Sequence, residues 1–357
     1  MWCASVPHRT VLSVTGADAF KFLNGIISSS IANAPSRAPF YTTFIHAQAR
    51  GRVIAEAFVH PHPTDPTGFL IEHDTRESEA PTLAALLKRY VLRSKVKVTP
   101  VADEWDVWAA WNDAPVPISR RWRWARSGCI EPVFSNASPW TSTQPSRLLD
   151  IRGGGLGTRI LVRKNDTRDP EASDHDVVDS WQYTLHRVLN GVAEGISEII
   201  PMHAFPMESN LDIMGAVDFR KGCYVGQELT VRTYHMGTLR KRIFPIQIHK
   251  ASNVAGAATP PVGSDIRLSV PASLENEIEE GTRKPKPRPS GKLLTAIPWN
   301  GAFAGLALLR LEHLDAVERG ELDLSMSTET GSSWSVRHHW PKWFPKRGVD
   351  EVLSDDD

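Results

Sequence analysis

The stretch Lys221-Gly222-Cys223-Tyr224-Val225-Gly226-Gln227-Glu228 places a single thiol between two glycines, with Arg220 immediately before it and Arg232 shortly after. A thiolate is both the nucleophilic and the metal-binding form of cysteine, and neighbouring cations favour it over the thiol, whose free pKa is ~8.5. Glycine on either side lets the backbone turn sharply or approach a ligand closely. Such a segment can carry attack by sulfur or ligation of a soft metal. The same residues also suit a thiol that only packs, because an unpaired cysteine behaves as a small apolar side chain. From Gln227 to Tyr234 the text is compatible with a helix, and Glu228 suits the positive end of its dipole.

Other constellations are weaker. His60 and His62 lie two apart, as two metal ligands on one strand face would, but Pro61 and Pro63 favour an edge or a loop with both rings in solvent. His338-His339, beside Trp340, has no acidic or thiol partner nearby in sequence and reads the same way. Arg120-Arg121-Trp122-Arg123-Trp124-Ala125-Arg126 interleaves cations and rings, as single-stranded nucleic-acid sites do. A strand with exposed arginines accounts for it better, since 41 basic and 41 acidic residues cancel and give nucleic-acid binding no support. Gly153 to Gly157 is not followed by the Lys-Ser/Thr helix of a phosphate loop and reads as a turn. Trp105, Trp108 and Trp111 read as core packing.

The whole chain narrows the chemistry further. At 357 residues it can build two or three lobes. No apolar run approaches the ~20 residues of a spanning helix, so the expectation is a soluble protein without a membrane or nucleic-acid partner. Its three cysteines, Cys3, Cys129 and Cys223, lie far apart with no C-x-x-C, which suits a reducing compartment. An iron-sulfur cluster is held by about four thiolates, so this chain would hold one only together with a partner. The text before the first strand-like run is too short for a full transit peptide.

A loop thiol needs a scaffold. Thr10 to Val14 reads as a strand and Phe20 to Ile27 as a short helix; Tyr41 to His46 and Arg52 to His60 form a hairpin around Gln48-Ala49-Arg50-Gly51. Phe69 to Ile71 is a third strand, Arg76 to Leu92 a helix, and Val96 to Thr99 and Trp105 to Trp111 strands again, a ferredoxin-like α+β order. Asn112 to Pro145 is irregular and Lys164 to Asp176 a polar loop, before a helix capped by Asp179-Ser180 and ended by Asn190-Gly191. Beyond Arg240, short β runs (Ile266 to Val270, Lys292 to Ile297, Ala302 to Leu309, Trp334 to Trp340) suit a small barrel, interrupted by a charged, proline-rich insertion near 274–290.

The eight residues around Cys223, with Pro206-Met207-Glu208-Ser209-Asn210-Leu211-Asp212 before them and Tyr234 to Pro245 after, resemble the signature of the folate-binding YgfZ-type proteins, relatives of the glycine-cleavage T-protein (aminomethyltransferase). The likeness leans toward the mitochondrial, Caf17-type branch that assembles iron-sulfur clusters. It is strongest over 201–245, fainter in Val14 to Gly25 and Gly51 to Glu56, and does not obviously reach 112–180.

It implies an α+β, GcvT-like folate-binding fold of two interleaved ferredoxin-like lobes over 1–240 with an insertion at 112–145, then a C-terminal β-barrel over 241–345 and an acidic tail at 346–357. It also implies a mitochondrial matrix address with a presequence removed, and A-type iron-sulfur carriers or scaffolds as partners. Cys223 would be the reactive thiol and the ligand of a cluster, [4Fe-4S] in this branch, shared with the partner. A pterin needs polar groups along one edge and a ring against its face. Tetrahydrofolate would accordingly lie among Glu208, Asn210, Lys221, Gly222, Tyr224, Gly226, Gln227, Glu228 and Arg232. One departure separates the chain from the transferases: where they carry paired aspartates, it has Ala55-Glu56. The expected role is thus assembly factor rather than enzyme, with a tetrahydrofolate-dependent aminomethyltransferase and an inert scaffold as the rivals.

Overall fold

The computed structural model describes residues 1–31, 38–48, 51–112, 120–134, 140, 146–164, 175–250, 259–271, 289–327 and 332–347. Most of the expected 164–176 loop, the 274–290 insertion and the acidic tail lie outside that set. The chain divides into two compact units, one of Met1–His186, Glu194–Leu239 and the segment from Trp343, the other of Arg187–Ala193 and Arg240–Lys342.

Two five-stranded sheets build the first unit. In one, β3 (Phe40–His46), β4 (Arg52–Pro61), β5 (Phe69–Asp74), β2 (Arg9–Thr15) and β6 (Lys97–Pro100) lie side by side, all antiparallel. The other runs β10 (Arg147–Leu149), β11 (Thr158–Arg163), β7 (Trp105–Trp111), β1 (Trp2–Ser5), β12 (Asp176–Val177), with only the last pair parallel. The chain begins in the second sheet, crosses to the first for β2 to β6 and returns at β7, so the lobes interleave as expected. Period-two alternation builds the layer between them. Val11 and Leu70 from one sheet share a cluster with Val107, Trp111 and Leu161 from the other.

Helix α1 (Ala19–Asn24) follows β2, and α2 (Leu83–Val91) follows β5. Helix α2 starts later than the expected Arg76, at the first residue of its apolar stripe: Pro81 precedes the cap, and the Thr82 hydroxyl accepts from the Ala85 amide, fixing the start there. The 112–145 stretch is not irregular throughout. Its arginine-rich part pairs as a ribbon, β8 (Arg121–Trp124) with β9 (Ile130–Val133). Helix α3 (Ser180–Leu189) ends before Gly191 at φ 72°, and α4 (Gln227–Met236) follows the cysteine loop.

The second unit is a closed six-stranded barrel in the order β13 (Lys241–Lys250), β16 (Ala302–Arg310), β15 (Gly291–Trp299), β14 (Asp265–Ser269), β17 (Asp323–Ser327), β18 (Ser333–His338). A short helix, α5 (Leu314–Glu318), links β16 to β17. Closure removes the exposed edges that an open sheet of these strands would leave. His338 is not solvated: it is buried in β18 with its Nε2 3.4 Å from Glu318, which also accepts from the Trp340 indole. Burial lowers the pKa of the ring. Among the described residues no helix is long and apolar enough to cross a membrane.

Candidate functional site

Cys223 is exposed, whereas Cys3 and Cys129 are buried, and none of the three forms a disulfide. Its loop is held on both sides. The Asp218 amide donates to Ser28 O (3.0 Å) and the Val225 amide to Gly25 O (3.1 Å), so the segment runs along the turn that ends α1. The Lys221 ammonium donates to the carbonyls of Asn24, Ile27 and Ser29 at 2.7, 2.8 and 2.9 Å. Burial lowers its pKa to about 8, against the opposing charge of Asp218. All its donors are committed to the loop's footing, so Lys221 acts first as an anchor.

Only one of the bracketing glycines is required by geometry. Gly226 has φ 82°, and a Cβ there would lie 2.7 Å from Ile45 Cγ2 and 2.8 Å from its carbonyl; around Gly222 the space is open. Gly226 turns the chain into α4, and the Gln227 side-chain oxygen accepts from the Tyr224 amide at 3.1 Å. Gly51, at φ 70°, brings the β3–β4 hairpin against Leu229 of the same helix. Tyr224 is buried, which raises its pKa. Across from it, Phe219 stacks on Tyr234 at 4.3 Å, and the Tyr234 hydroxyl donates to Glu131 of β9, which also lies 3.7 Å from Arg220 and 3.9 Å from Arg123. The arginine-rich ribbon thus flanks the cysteine loop. Glu131 and Tyr234 were invisible as a pair in sequence, being 103 residues apart.

The nine residues expected around tetrahydrofolate are spread over the cysteine loop, α4 and the segment before them. Glu228 and Arg232 are exposed on α4, Lys221 and Gln227 are engaged within the loop, Gly222 is exposed, and Asn210 is buried in a turn at φ 61°. Glu208 is half-buried on the segment before Asn210. None lines the cavity of about 540 Å³ that opens elsewhere in this unit, between Leu12 and Ala55 of the first sheet, the start of α2, and Gly195 to Ile199.

Deep between the sheets lies a charge network that sequence reasoning missed. Arg9 pairs with Glu56 and, at 2.8 Å, with Glu72. Glu194 accepts from Arg159, from Arg152 at 2.6 Å and from the Tyr183 hydroxyl at 3.0 Å, while Asp150 holds Arg152 from the other side at 2.7 Å. Burial alone would raise the Glu72 pKa, but Arg159 and Arg9 outweigh it and hold the carboxyl at about 2. His60 corrects the solvated expectation: it is fully buried in β4 with its Nε2 3.9 Å from Glu72, because Pro61 continues the strand opposite Phe69. His62 lies past the strand end, its Nδ1 accepting from the Asp65 amide at 3.0 Å. Trp140 closes the space against Tyr41 and Phe58, with Arg152 and Arg159 over the Phe58 ring at 4.7 and 5.0 Å. The available signal was a charge inside an apolar strand, as in Phe69-Leu70-Ile71-Glu72.

Glu56 is fixed by this network: besides Arg9, its Oε1 accepts from the Gly195 amide at 3.1 Å. Ala55, its neighbour, lines the cavity.

Comparison with known proteins now bears on the whole chain. It is 38% identical over 355 residues to the iron-sulfur cluster assembly factor IBA57 homolog, mitochondrial, of Neosartorya fischeri, covering 93% of this chain and 76% of that one. The chain belongs to the IBA57 family. The homolog of the same name from Cryptococcus neoformans var. neoformans serotype D is 37% identical over 331 residues, covering 87% and 83%. Residues 240–346 match the family described as CAF17, C-terminal beta-barrel domain, which coincides with the closed barrel. Among solved structures, the glycine cleavage system aminomethyltransferase T of Bartonella henselae superposes with a TM-score of 0.61 at 10% identity, covering 96% of this chain and 86% of that one. This IBA57-family chain therefore has a GcvT-like fold, with only 10% of its sequence identical to that transferase. Among the described residues, no three His, Cys, Asp or Glu side chains are gathered as a metal site.

Proposed function

We propose that this protein assists the assembly or delivery of iron-sulfur clusters in mitochondria, with the Cys223 thiolate supplying one ligand to a cluster whose other thiolates come from a partner, an A-type carrier or scaffold. The observation that carries this reading is the exposure of Cys223 on a loop whose footing is fixed by Lys221. A ligand for a shared centre must be reachable from outside yet held in place. A single thiolate cannot complete the coordination of a cluster. The names of the relatives point the same way. The cluster is the cargo of this chemistry. We assign it to the [4Fe-4S] pathway on the sequence resemblance alone. Tetrahydrofolate as a cofactor rests on the sequence resemblance and the GcvT-like fold.

The test is anaerobic absorption spectroscopy of the protein mixed with a cluster-loaded A-type carrier. A coloured complex of the two proteins is expected with the natural chain and not with Cys223→Ser. Because the side chain is exposed, that substitution should change folding stability by only ~0.5 kcal/mol. A Cys223→Ser protein that still forms the coloured complex would refute the assignment.

A further inference from the structure

Helix α4 leaves one face bare beside the thiol. Glu228, Val231, Arg232, His235 and Met236 are all exposed, and their spacing puts them on one side of the helix, opposite Thr230, which is buried. Met236 is 84% exposed, among the most exposed large apolar side chains described, and Val231 adds 36%. The β8–β9 ribbon meets the helix at its C-terminal end and behind this face: its turn bonds just past the helix, where the Leu239 amide donates to Ser127 O at 2.7 Å, and Glu131 ties it to Tyr234 on the side of Thr230. Arg126 stands exposed in that turn.

On a chain whose charges cancel overall, this part is basic: Arg121, Arg126, Arg220 and Arg232 are exposed on the ribbon, the loop and α4 against Glu228 and the half-buried Asp218, while Arg123 and Lys221 are already engaged and Glu131 is buried and paired. We infer that α4 and the arginine-rich ribbon form one docking surface for an acidic protein, which the arginines steer in and Met236 and Val231 grip, delivering its thiolate-bound cluster to Cys223. This deepens the reading proposed above and rests on it. A thiolate-ligated cluster is itself anionic, so an acidic face presenting one is the complement of an exposed thiol on a surface that carries these arginines. The Arg/Trp stretch of the sequence thereby acquires a role other than nucleic-acid binding.

The experiment measures association of the protein with a cluster-loaded A-type carrier by stopped-flow, at ionic strengths from about 20 to about 200 mM, where the range of surface charges shortens severalfold. The natural protein should associate fast and slow steeply with salt. The Arg126→Glu, Arg232→Glu double variant should lose about 10-fold in on-rate at low salt and most of the salt dependence. Met236→Asp should instead shorten the lifetime of the complex. Circular dichroism melting checks that the variants fold, which the exposure of all three side chains favours. Unchanged rates and salt slopes in the charge variant overturn the docking surface, as does displacement of the carrier by an equimolar single-stranded DNA oligonucleotide, which would assign the surface to nucleic acid. Cys223→Ser separates the two readings: retention of salt-dependent encounter with loss of the shared colour supports both, whereas retention of the colour defeats the cluster-ligand reading whatever the rates show.

Discussion

Adjacent residues on β5 answer to opposite environments. Glu72 faces the charge network and is held ionised, while His73 points to the other face of the sheet, where burial lowers its pKa to about 4 and keeps the ring neutral. The sign of each contribution follows from linkage. The unfolded chain takes up a proton on His73 below an ordinary pKa of ~6.5 and the folded chain does not, so stability falls from pH ~6.5 down to about 4, by ~3 kcal/mol in total. Glu72 adds stability that is complete above the ordinary carboxylate range and is lost as pH falls toward about 2. Urea midpoints across this range should drop in that order. In His73→Gln the slope between pH ~6.5 and about 4 should shrink by about one proton, and an unchanged slope would mean that the ring already titrates in the native state.

At the scale of elements, the turn into α4 decides how the thiol loop is seated. Gly226→Ala forces a side chain into φ 82° and against Ile45, whose backbone cannot move without shifting β3. The conformational term alone is ~1 kcal/mol, and the clash adds to it, so a fall of ~2 kcal/mol or more is expected in chemical denaturation. Gly222→Ala, in open space, should be nearly neutral. Equal effects at both positions would show that the turn is not the constraint. Sequence alone treated the two glycines as equivalent, because nothing local distinguishes an open position from one packed on a distant strand. The strands of the first sheet were legible because their apolar alternation is local. The partner strand β9 and β17 were not: Ile130-Glu131-Pro132-Val133 and Asp323-Leu324-Ser325-Met326-Ser327 look like loop text until a neighbouring strand covers one face. Cys223 stood out as the candidate site from its motif, but the anchoring of Lys221 on carbonyls nearly 200 residues away was not legible.

Across the whole molecule, the fold is that of an aminomethyltransferase and the chemistry need not be, because function belongs to sites grafted on folds. Ala55, which the sequence resemblance sets where the transferases carry an acid, lines the cavity, as does Glu56. The acid that remains, Glu56, is held by Arg9 and the Gly195 amide in a network that also spans Glu72, Arg159, Glu194, Arg152 and Asp150. A carboxylate fixed by a buried guanidinium is not free to shuttle protons to a substrate, and losing a positioned general acid or base costs about 10²- to 10⁴-fold in rate. Aminomethyl transfer to tetrahydrofolate should therefore be at the background of the assay. Ala55→Asp should not restore it, since the new carboxyl would still lack a released partner. Releasing Glu56 by Arg9→Met should instead cost ~3–5 kcal/mol of stability, because it leaves Glu56 and Glu72 buried without their shared cation. Folate-dependent turnover comparable with that of a true aminomethyltransferase, or a mild Arg9→Met phenotype in thermal unfolding, would show that the network is not what separates this family from the enzymes whose fold it shares.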